Sequence, residues 1–397
     1  MQIAIVTETY PPETNGVALT VQSMVQGMRA RGHRVMLVRP RQYGEAKDAV
    51  PEADAMLTPS AALPGYAGLR FGLPADRRLL RAWRARRPDA IYVATEGPLG
   101  ASALRCARRL GIPATTGFHT RFDHYASHYG VGWLTPMVRG YLRRFHRRAA
   151  ATLVPTDALA RELRRLGVDN VRLLHRAVDT EQFDPAHRDA ELRARWGAGS
   201  RAPVMLYVGR IAAEKNLPLA VHAFYAMRKR CPDLRYVWVG DGPAREAVQR
   251  AHPEFVFMGM QHGEALARCY ASADLFVFPS RSETFGNVIL EALASGLPTV
   301  AFDSGAAHEH LRSGHNGYCI EDGDESAFTA ACVKLIRDER YRDMRASARS
   351  SVAALNPDAV IADFEALLLG VSAPGRTTRQ ARALGFSGHP RDSGART

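Results

Sequence analysis

Residues 275–301 read Leu275-Phe-Val-Phe278-Pro-Ser-Arg-Ser-Glu283-Thr-Phe-Gly286-Asn287-Val-Ile-Leu-Glu291-Ala-Leu-Ala-Ser-Gly296-Leu-Pro298-Thr-Val-Ala301. The apolar run Leu275–Phe278 has the length and composition of a buried strand. A polar loop containing Gly286 follows, then a helical segment closed by Gly296 and Pro298. Thr299-Val-Ala301 is the next buried strand. Strand, helix and strand in that order form a βαβ unit, which implies a parallel sheet with helices over both faces.

The same alternation runs through the rest of the chain. Ile3-Ala-Ile-Val6 is a strand, and Pro11-Pro12-Glu-Thr-Asn15-Gly16 a turn-rich loop. Val17, Val21, Met24, Val25 and Met28 then recur at helical spacing up to Arg31-Gly32. Val35–Val38, Ala90–Val93, Pro113–Thr116 and Thr152–Val154 are further strands, with helices over 98–110 and 133–149. A polar crossover at 181–202 precedes a second set: Val204–Val208, Tyr236–Val239, Phe255–Phe257, Leu275–Phe278 and Thr299–Ala301. The expectation is an α/β chain of two doubly wound, Rossmann-like domains facing across a deep cleft, where such sheets bind ligands. Their boundaries are placed at 1–180 and 181–356. A helix at 357–370 crosses back to the first domain, and a basic, disordered tail occupies 371–397.

Composition bounds the function. With 397 residues, 46% of them apolar and 23% charged, the chain can bury sizeable cores, which excludes wholesale disorder. The cysteines Cys106, Cys231, Cys269, Cys319 and Cys332 lie far apart with no CxxC pair, which offers neither a disulfide framework nor a zinc ribbon. The early apolar run Ile3–Val6 is far shorter than a signal sequence or spanning helix, so a soluble cytoplasmic protein is expected. The net charge of +13 is uneven: residues 1–180 carry +13, residues 181–370 carry −4 and the tail +4. A basic first half attracts phosphate, whether of nucleic acid, anionic lipid or a phosphorylated substrate. An Arg-heavy composition with solvated faces is the competing explanation.

Two clusters carry chemistry. Backbone N–H groups from Phe285 to Val288 at a helix start suit a diphosphate. Glu283 precedes that start and Glu291 lies about one turn inside it, so the two carboxylates would reach different hydroxyl groups of one extended ligand. In Tyr207-Val-Gly209-Arg210-Ile-Ala-Ala-Glu214-Lys215-Asn216, two cations leave the C-terminal end of a strand and can clamp a diphosphate leaving group. Asp322-Gly-Asp324 resembles a metal-holding DxD string but leads into a helix at Ala327, where acids belong anyway; no metal is expected.

The Glu283-x7-Glu291 pair with its Phe-Gly, Gly209-Arg-x4-Lys-Asn216 and Val239-Gly-Asp-Gly-Pro243 resemble the signature of the GT4 retaining glycosyltransferases of GT-B fold. Pro11-Pro12-Glu-Thr-Asn15-Gly16-Val17 resembles their acceptor-domain glycine loop. The resemblance covers about residues 1–370 in the family's order. Asn15-Gly-Val17, His119-Thr-Arg-Phe-Asp123 and Trp133-Leu134 look most like bacterial glycolipid mannosyltransferases and sulfoquinovosyl-diacylglycerol synthases.

The resemblance implies an acceptor-binding first domain and a nucleotide-sugar-binding second one. Arg210 and Lys215 would bind the donor diphosphate, Glu291 the ribose and Glu283 the donor sugar. Phe285, Gly286, Asn287 and Val288 would present backbone amides, Gly16 would let the first-domain backbone approach the phosphate, and His119 would sit beside the sugar. It further implies retention of anomeric configuration without metal or other cofactor, mannose from GDP-mannose as donor, and a lipid or glycolipid acceptor. A UDP-sugar transferase acting on diacylglycerol or a polysaccharide intermediate is the alternative. Family membership implies front-face displacement; no obvious carboxylate nucleophile stands on a first-domain loop, with Glu8, Glu96 and Asp123 the ones to consider. Where relatives read Arg-Gly-Val-Asp, this chain has Arg176-Ala177-Val178-Asp179, and alanine takes positive φ less readily.

Basic segments frame the acceptor side. Leu134, Met137, Val138, Tyr141, Leu142 and Phe145 recur beside Arg139, Arg143, Arg144, Arg147 and Arg148. Arg77, Arg78, Arg81, Arg84, Arg86 and Arg87 surround Leu79, Leu80 and Trp83. Either pattern fits peripheral docking on an anionic membrane face, or a domain helix that solvates its arginines. No nucleic-acid module is recognisable, and a nucleic acid partner is not expected. A GT-B nucleotide-sugar epimerase would use the same cleft without an acceptor.

Overall fold

A computed structural model of the chain describes residues 1–13, 15–42, 45, 54–62, 70–119, 135–281, 283 and 285–372. Residues 120–123, Trp133, Leu134 and the tail from 373, all invoked above, lie outside the described residues.

The first sheet draws on β1 (Gln2–Val6), β2 (Arg34–Pro40), β3 (Ala55–Thr58), β6 (Ala90–Val93), β7 (Ala114–Gly117), β8 (Ala151–Val154) and β9 (Val171–Leu173), while β4 (Ser60–Ala62) and β5 (Arg70–Gly72) pair antiparallel beside it. Its order is β3-β2-β1-β6-β7-β8-β9, with parallel pairing throughout. The second sheet has the order β12-β11-β10-β13-β14-β15, also parallel, from β10 (Val204–Val208), β11 (Arg235–Val239), β12 (Val256–Gly259), β13 (Leu275–Phe278), β14 (Thr299–Phe302) and β15 (Gly317–Ile320). Both sheets are doubly wound. Their strand order reverses beside β1 and beside β10, and the crevice at such a reversal opens beyond the strands' C-terminal ends. Ile3–Val6, Ile91–Val93 and Met205–Tyr207 are wholly buried, as strands covered on both faces must be.

Several elements depart from the sequence reading. The first sheet does not finish at β8: the helix Asp157–Arg165 and β9 extend it, hidden in sequence by an Arg-rich surface and a strand of only three residues. β15 was invisible for a similar reason, since half of it is only partly buried. The 181–202 segment is less a crossover than part of the second core, where Phe183, Leu192 and Trp196 are buried. Arg193 anchors it on Asp274 at 2.9 Å. The arginine-flanked helix Asp76–Ala85 turns Leu79 and Trp83 fully inward and leaves its arginines in solvent. In the helix Thr135–His146, Leu142 and Phe145 are buried, but Met137 stays 71% and Tyr141 45% exposed beside Arg139, Arg143 and Arg144.

The helix Pro357–Ser372 packs on the first sheet, although it follows the last strand of the second. Ile361, Phe364 and Leu368 are buried against Val21, Met24, Val25 and Met28 of the helix Gly16–Ala30. Glu365 receives Arg31 and His33, each at 2.6 Å. The two helices approach so closely that a Cβ on Gly27 would lie 2.6 Å from Ile361 Cγ1. Alanine in place of a mid-helix glycine ordinarily adds about 0.5–1 kcal/mol of stability. Here the clash reverses the sign, and Gly27→Ala is expected to cost about 1–2 kcal/mol. Urea denaturation checks this; in an Ile361→Ala background the same change should be neutral or stabilising, whereas an equal loss there would place the strain elsewhere.

Candidate functional site

The site is assembled from loops at the C-terminal ends of β1, β10 and β13. After β10 the chain turns through Gly209, Arg210 and Ile211, a stretch hydrogen-bonded along its backbone to residues 239–244. Gly209 N–H donates to Val239 O at 3.0 Å, Ile211 N–H to Asp241 O at 2.9 Å and Ala244 N–H to Ile211 O at 3.0 Å. This contact explains the glycines of Val239-Gly-Asp-Gly-Pro243. A Cβ on Gly240 would stand 2.0 Å from the Gly209 carbonyl oxygen, and one on Gly242 would stand 2.3 Å from that of Ile211. The motif is thus a backbone clamp that fixes the Arg210 loop. A short turn Ala213–Lys215 and Asn216, at φ 53°, then lead into the helix Leu217–Arg228.

The loop after β13 carries the other half. Phe285 is buried, its carbonyl accepts from Ala306 N–H at 2.7 Å, and Gly286 at φ 89° starts the helix Asn287–Ala294. Its N-cap position is Gly286, which has no side chain to accept from the first-turn N–H groups. Lys215 Nζ forms an ion pair with Glu283 Oε1, which also accepts from Ser280 Oγ at 2.9 Å. Arg210 lies 3.4 Å from Glu214. Glu291 Oε2 accepts from the buried Tyr270 hydroxyl at 2.8 Å, and burial pushes the Glu291 carboxyl up to about 7 against that hydrogen bond.

The two domains meet here. Asn15 caps the helix Gly16–Ala30 by accepting from Val17 and Ala18 N–H at 3.1 and 2.9 Å. A Cβ on Gly16 would be 3.8 Å from Asn287 Nδ2. Two helix starts, each the positive end of its dipole, therefore adjoin across the cleft.

His119 lies just beyond β7 and is buried. Arg176 donates to its Nδ1, so Nε2 carries the proton and donates to the Tyr92 hydroxyl at 2.7 Å. Burial, with the Arg176 charge adding to it, holds His119 well below the usual histidine range, so the ring is neutral. The Tyr92 ring stacks edge-on against Phe364 with centroids 4.9 Å apart. Val178 N–H donates to Leu355 O at 2.9 Å, which joins the two interdomain passages of the chain. Ala177, between Arg176 and Val178, is not among the described non-glycine residues of positive φ, so alanine is unstrained there.

The sequence could not show the partners Tyr270, Tyr92 and Arg176, because each reaches its site residue from a distant element; Ser280 lies on Glu283's own loop. Of the first-domain carboxylates, Glu8 is held by backbone N–H groups. Glu8 accepts from Gly72 and from Leu99 N–H (2.9 Å), and burial pushes it up to about 7. Buried Glu96 lies 3.4 Å from His146, and Asp123 is outside the described residues. Asp322 pairs with Arg281, and Asp324 caps the following helix at Ala327 N–H, 2.8 Å away. Among the described residues no group of three or more His, Cys, Asp or Glu side chains could hold a metal ion.

A carboxyl that holds its proton more tightly in the folded chain stabilises the fold below its unfolded pKa, and that stability is lost as pH rises through the folded value. For Glu291 the window runs from 4.5 to about 7. Glu291→Gln is expected to flatten part of the fall in unfolding free energy across that window, Glu8 retaining its own share. Equal slopes for the two proteins would show that Glu291 titrates normally.

Comparison with known proteins agrees with this geometry. Residues 202–338 match the family model described as glycosyl transferases group 1, and residues 14–182 that of glycosyltransferase family 4. The chain is 35% identical over 379 residues to a GDP-mannose-dependent alpha-mannosyltransferase of Mycolicibacterium smegmatis, covering 93% of this chain and 98% of the relative. It is 30% identical over 357 residues to the sulfoquinovosyl transferase SQD2 of Arabidopsis thaliana, covering 86% and 68%. Among solved structures, Anabaena HepE in complex with UDP superposes with a TM-score of 0.74 at 17% identity, over 93% of this chain and 100% of that one. Two parallel sheets with facing strand ends, the paired clusters at their crevice and matches along nearly the whole length have one explanation: the chain belongs to the family 4 glycosyltransferases and has their GT-B fold.

Proposed function

We propose that the chain transfers mannose from GDP-mannose, with retention of configuration, to a lipid or glycolipid acceptor at a membrane face. The observation that carries the reading is the meeting of the Gly16 and Asn287 helix starts beside Arg210, Lys215 and the Glu283–Glu291 pair. The mannosyltransferase relatives, at 31–35% identity, favour GDP-mannose. In this reading the diphosphate lies on the first-turn N–H groups of Asn287 and Val288, close to Gly16. Lys215 exchanges Glu283 for the leaving phosphate, and the freed Glu283 accepts from the donor sugar. Arg210 adds a second charge to the phosphate, Phe285 and Gly286 shape the loop, and Glu291 accepts from the ribose.

His119 reaches the sugar only by releasing Tyr92 or Arg176, and it does so as a neutral group. Glu8 is held by backbone N–H groups, which supports front-face displacement with the leaving phosphate drawing the acceptor proton. The chemistry needs no metal in this reading. A UDP-sugar donor is the second reading.

A thermal-shift panel of GDP, UDP and ADP with their sugar conjugates, with and without EDTA, tests the donor. GDP at 100 times its Kd should add about 2.7 kcal/mol and survive EDTA; selective stabilisation by UDP would install the second reading. Lys215→Ala should lower kcat about 10²–10³-fold with a smaller change in donor KM. An unchanged kcat would take Lys215 out of the leaving-group role.

The acceptor face follows from the same reading. Among the described residues no helix is long and apolar enough to cross a membrane. Exposed Met137 and Tyr141 beside Arg139, Arg143 and Arg144 suit a peripheral contact, each arginine contributing about 1 kcal/mol near an anionic surface. Co-sedimentation should favour anionic over neutral vesicles at low salt and weaken in Met137→Asp; indifference to lipid charge would argue for an acceptor taken from solution.

A further inference from the structure

Glu291 is the only carboxylate on the helix Asn287–Ala294, whose other side chains include the buried Ile289, Leu290, Ala292, Leu293 and Ala294. A carboxyl carried into such surroundings needs a donor to hold it in one rotamer and to offset part of the cost of burial. Tyr270, from the helix Gly263–Ser272, supplies that donor at 2.8 Å. Its ring is fully buried and cannot swing, being edge-on to Phe183 at 5.6 Å and tilted against Phe276 at 5.8 Å. The other oxygen near its hydroxyl is Val288 O, at the longer distance of 3.4 Å. Tyr270 occupies Oε2 of Glu291, while the glutamate as a residue keeps partial access to solvent.

We infer that Tyr270 is a positioning residue for the nucleotide ribose: its hydroxyl holds Glu291 in one orientation with one oxygen turned to the ligand's diol. The inference rests on the placement of the ribose at Glu291 proposed above. Tyr270 touches no ligand itself. It acts through Glu291, so its loss weakens donor binding through the ribose hydroxyls and leaves the leaving-group chemistry at Lys215 in place.

Calorimetric binding of GDP and of 2′-deoxy- and 3′-deoxy-GDP to the full chain tests this, with UDP and its deoxy forms replacing them if the wild type selects UDP. Tyr270→Phe keeps the ring and removes the hydroxyl. It should weaken GDP about tenfold, bind the deoxy nucleotide nearly as wild type does, and so lose most of the discrimination between them. Donor KM should rise similarly with kcat within about twofold. The double variant with Glu291→Gln should bind no more weakly than Glu291→Gln alone. Wild-type affinity and discrimination in Tyr270→Phe, with Glu291→Gln weakened, would overturn the positioning role and spare the ribose site. Equal weakening of GDP and deoxy-GDP would also overturn it, because Tyr270 would then act through packing. Wild-type binding by Glu291→Gln would remove the ribose site and the inference together.

Discussion

Gly16 and Asn287 begin two helices that belong to different sheets, and a side-chain carbon added to the first would touch the second. Much of the chain holds these two starts opposite each other. A parallel sheet buried on both faces has no room for charge except beyond its strand ends. Placing two such sheets end to end therefore brings two helix starts, each the positive end of its dipole, to one crevice. That crevice is electropositive before any side chain contributes.

Side-chain charge then has to be managed within a partly desolvated space. Lys215 is neutralised by Glu283, so the cation does not stand alone and the carboxylate is held in place. Glu291 is offset by the Tyr270 hydroxyl, and Glu8 by backbone N–H groups at the start of the helix Pro98–Leu110. In each case a partner from a separate element offsets part of the desolvation cost, and for Glu291 and Glu8 burial still outweighs it. The Lys215–Glu283 pair differs from the others in being exchangeable, since a diphosphate and a sugar hydroxyl offer each partner an equivalent contact.

The two passages between the domains are bonded to each other and to the cleft. Val178 and Leu355 join them through the backbone, Arg176 on one contacts His119, and Phe364 beyond the other packs on Tyr92, which also binds His119. Any relative movement of the domains thus bears on the histidine from two sides. The packing of Gly27 on Ile361 and the Glu365 bridges to Arg31 and His33 tie the second passage to the first domain.

The parallel architecture was legible in the sequence because continuous apolar runs such as Ile3–Val6 and Leu275–Phe278 alternate with helical periodicity, and burial on both faces requires such runs. The helix start at Asn287 and the loop at Arg210 were legible through their glycines and charges. Elements with little burial, such as β9 and β15, left no such trace. Pairings between distant residues left none either: Tyr270 with Glu291, Arg176 with His119, Lys215 with Glu283. The sequence by itself determined which fully buried strands form, which loops carry polar chemistry and to which enzyme family the pattern is similar. Only the tertiary structure decided which ionisable groups share a desolvated space, because that depends on how distant elements pack, and no local spacing encodes it.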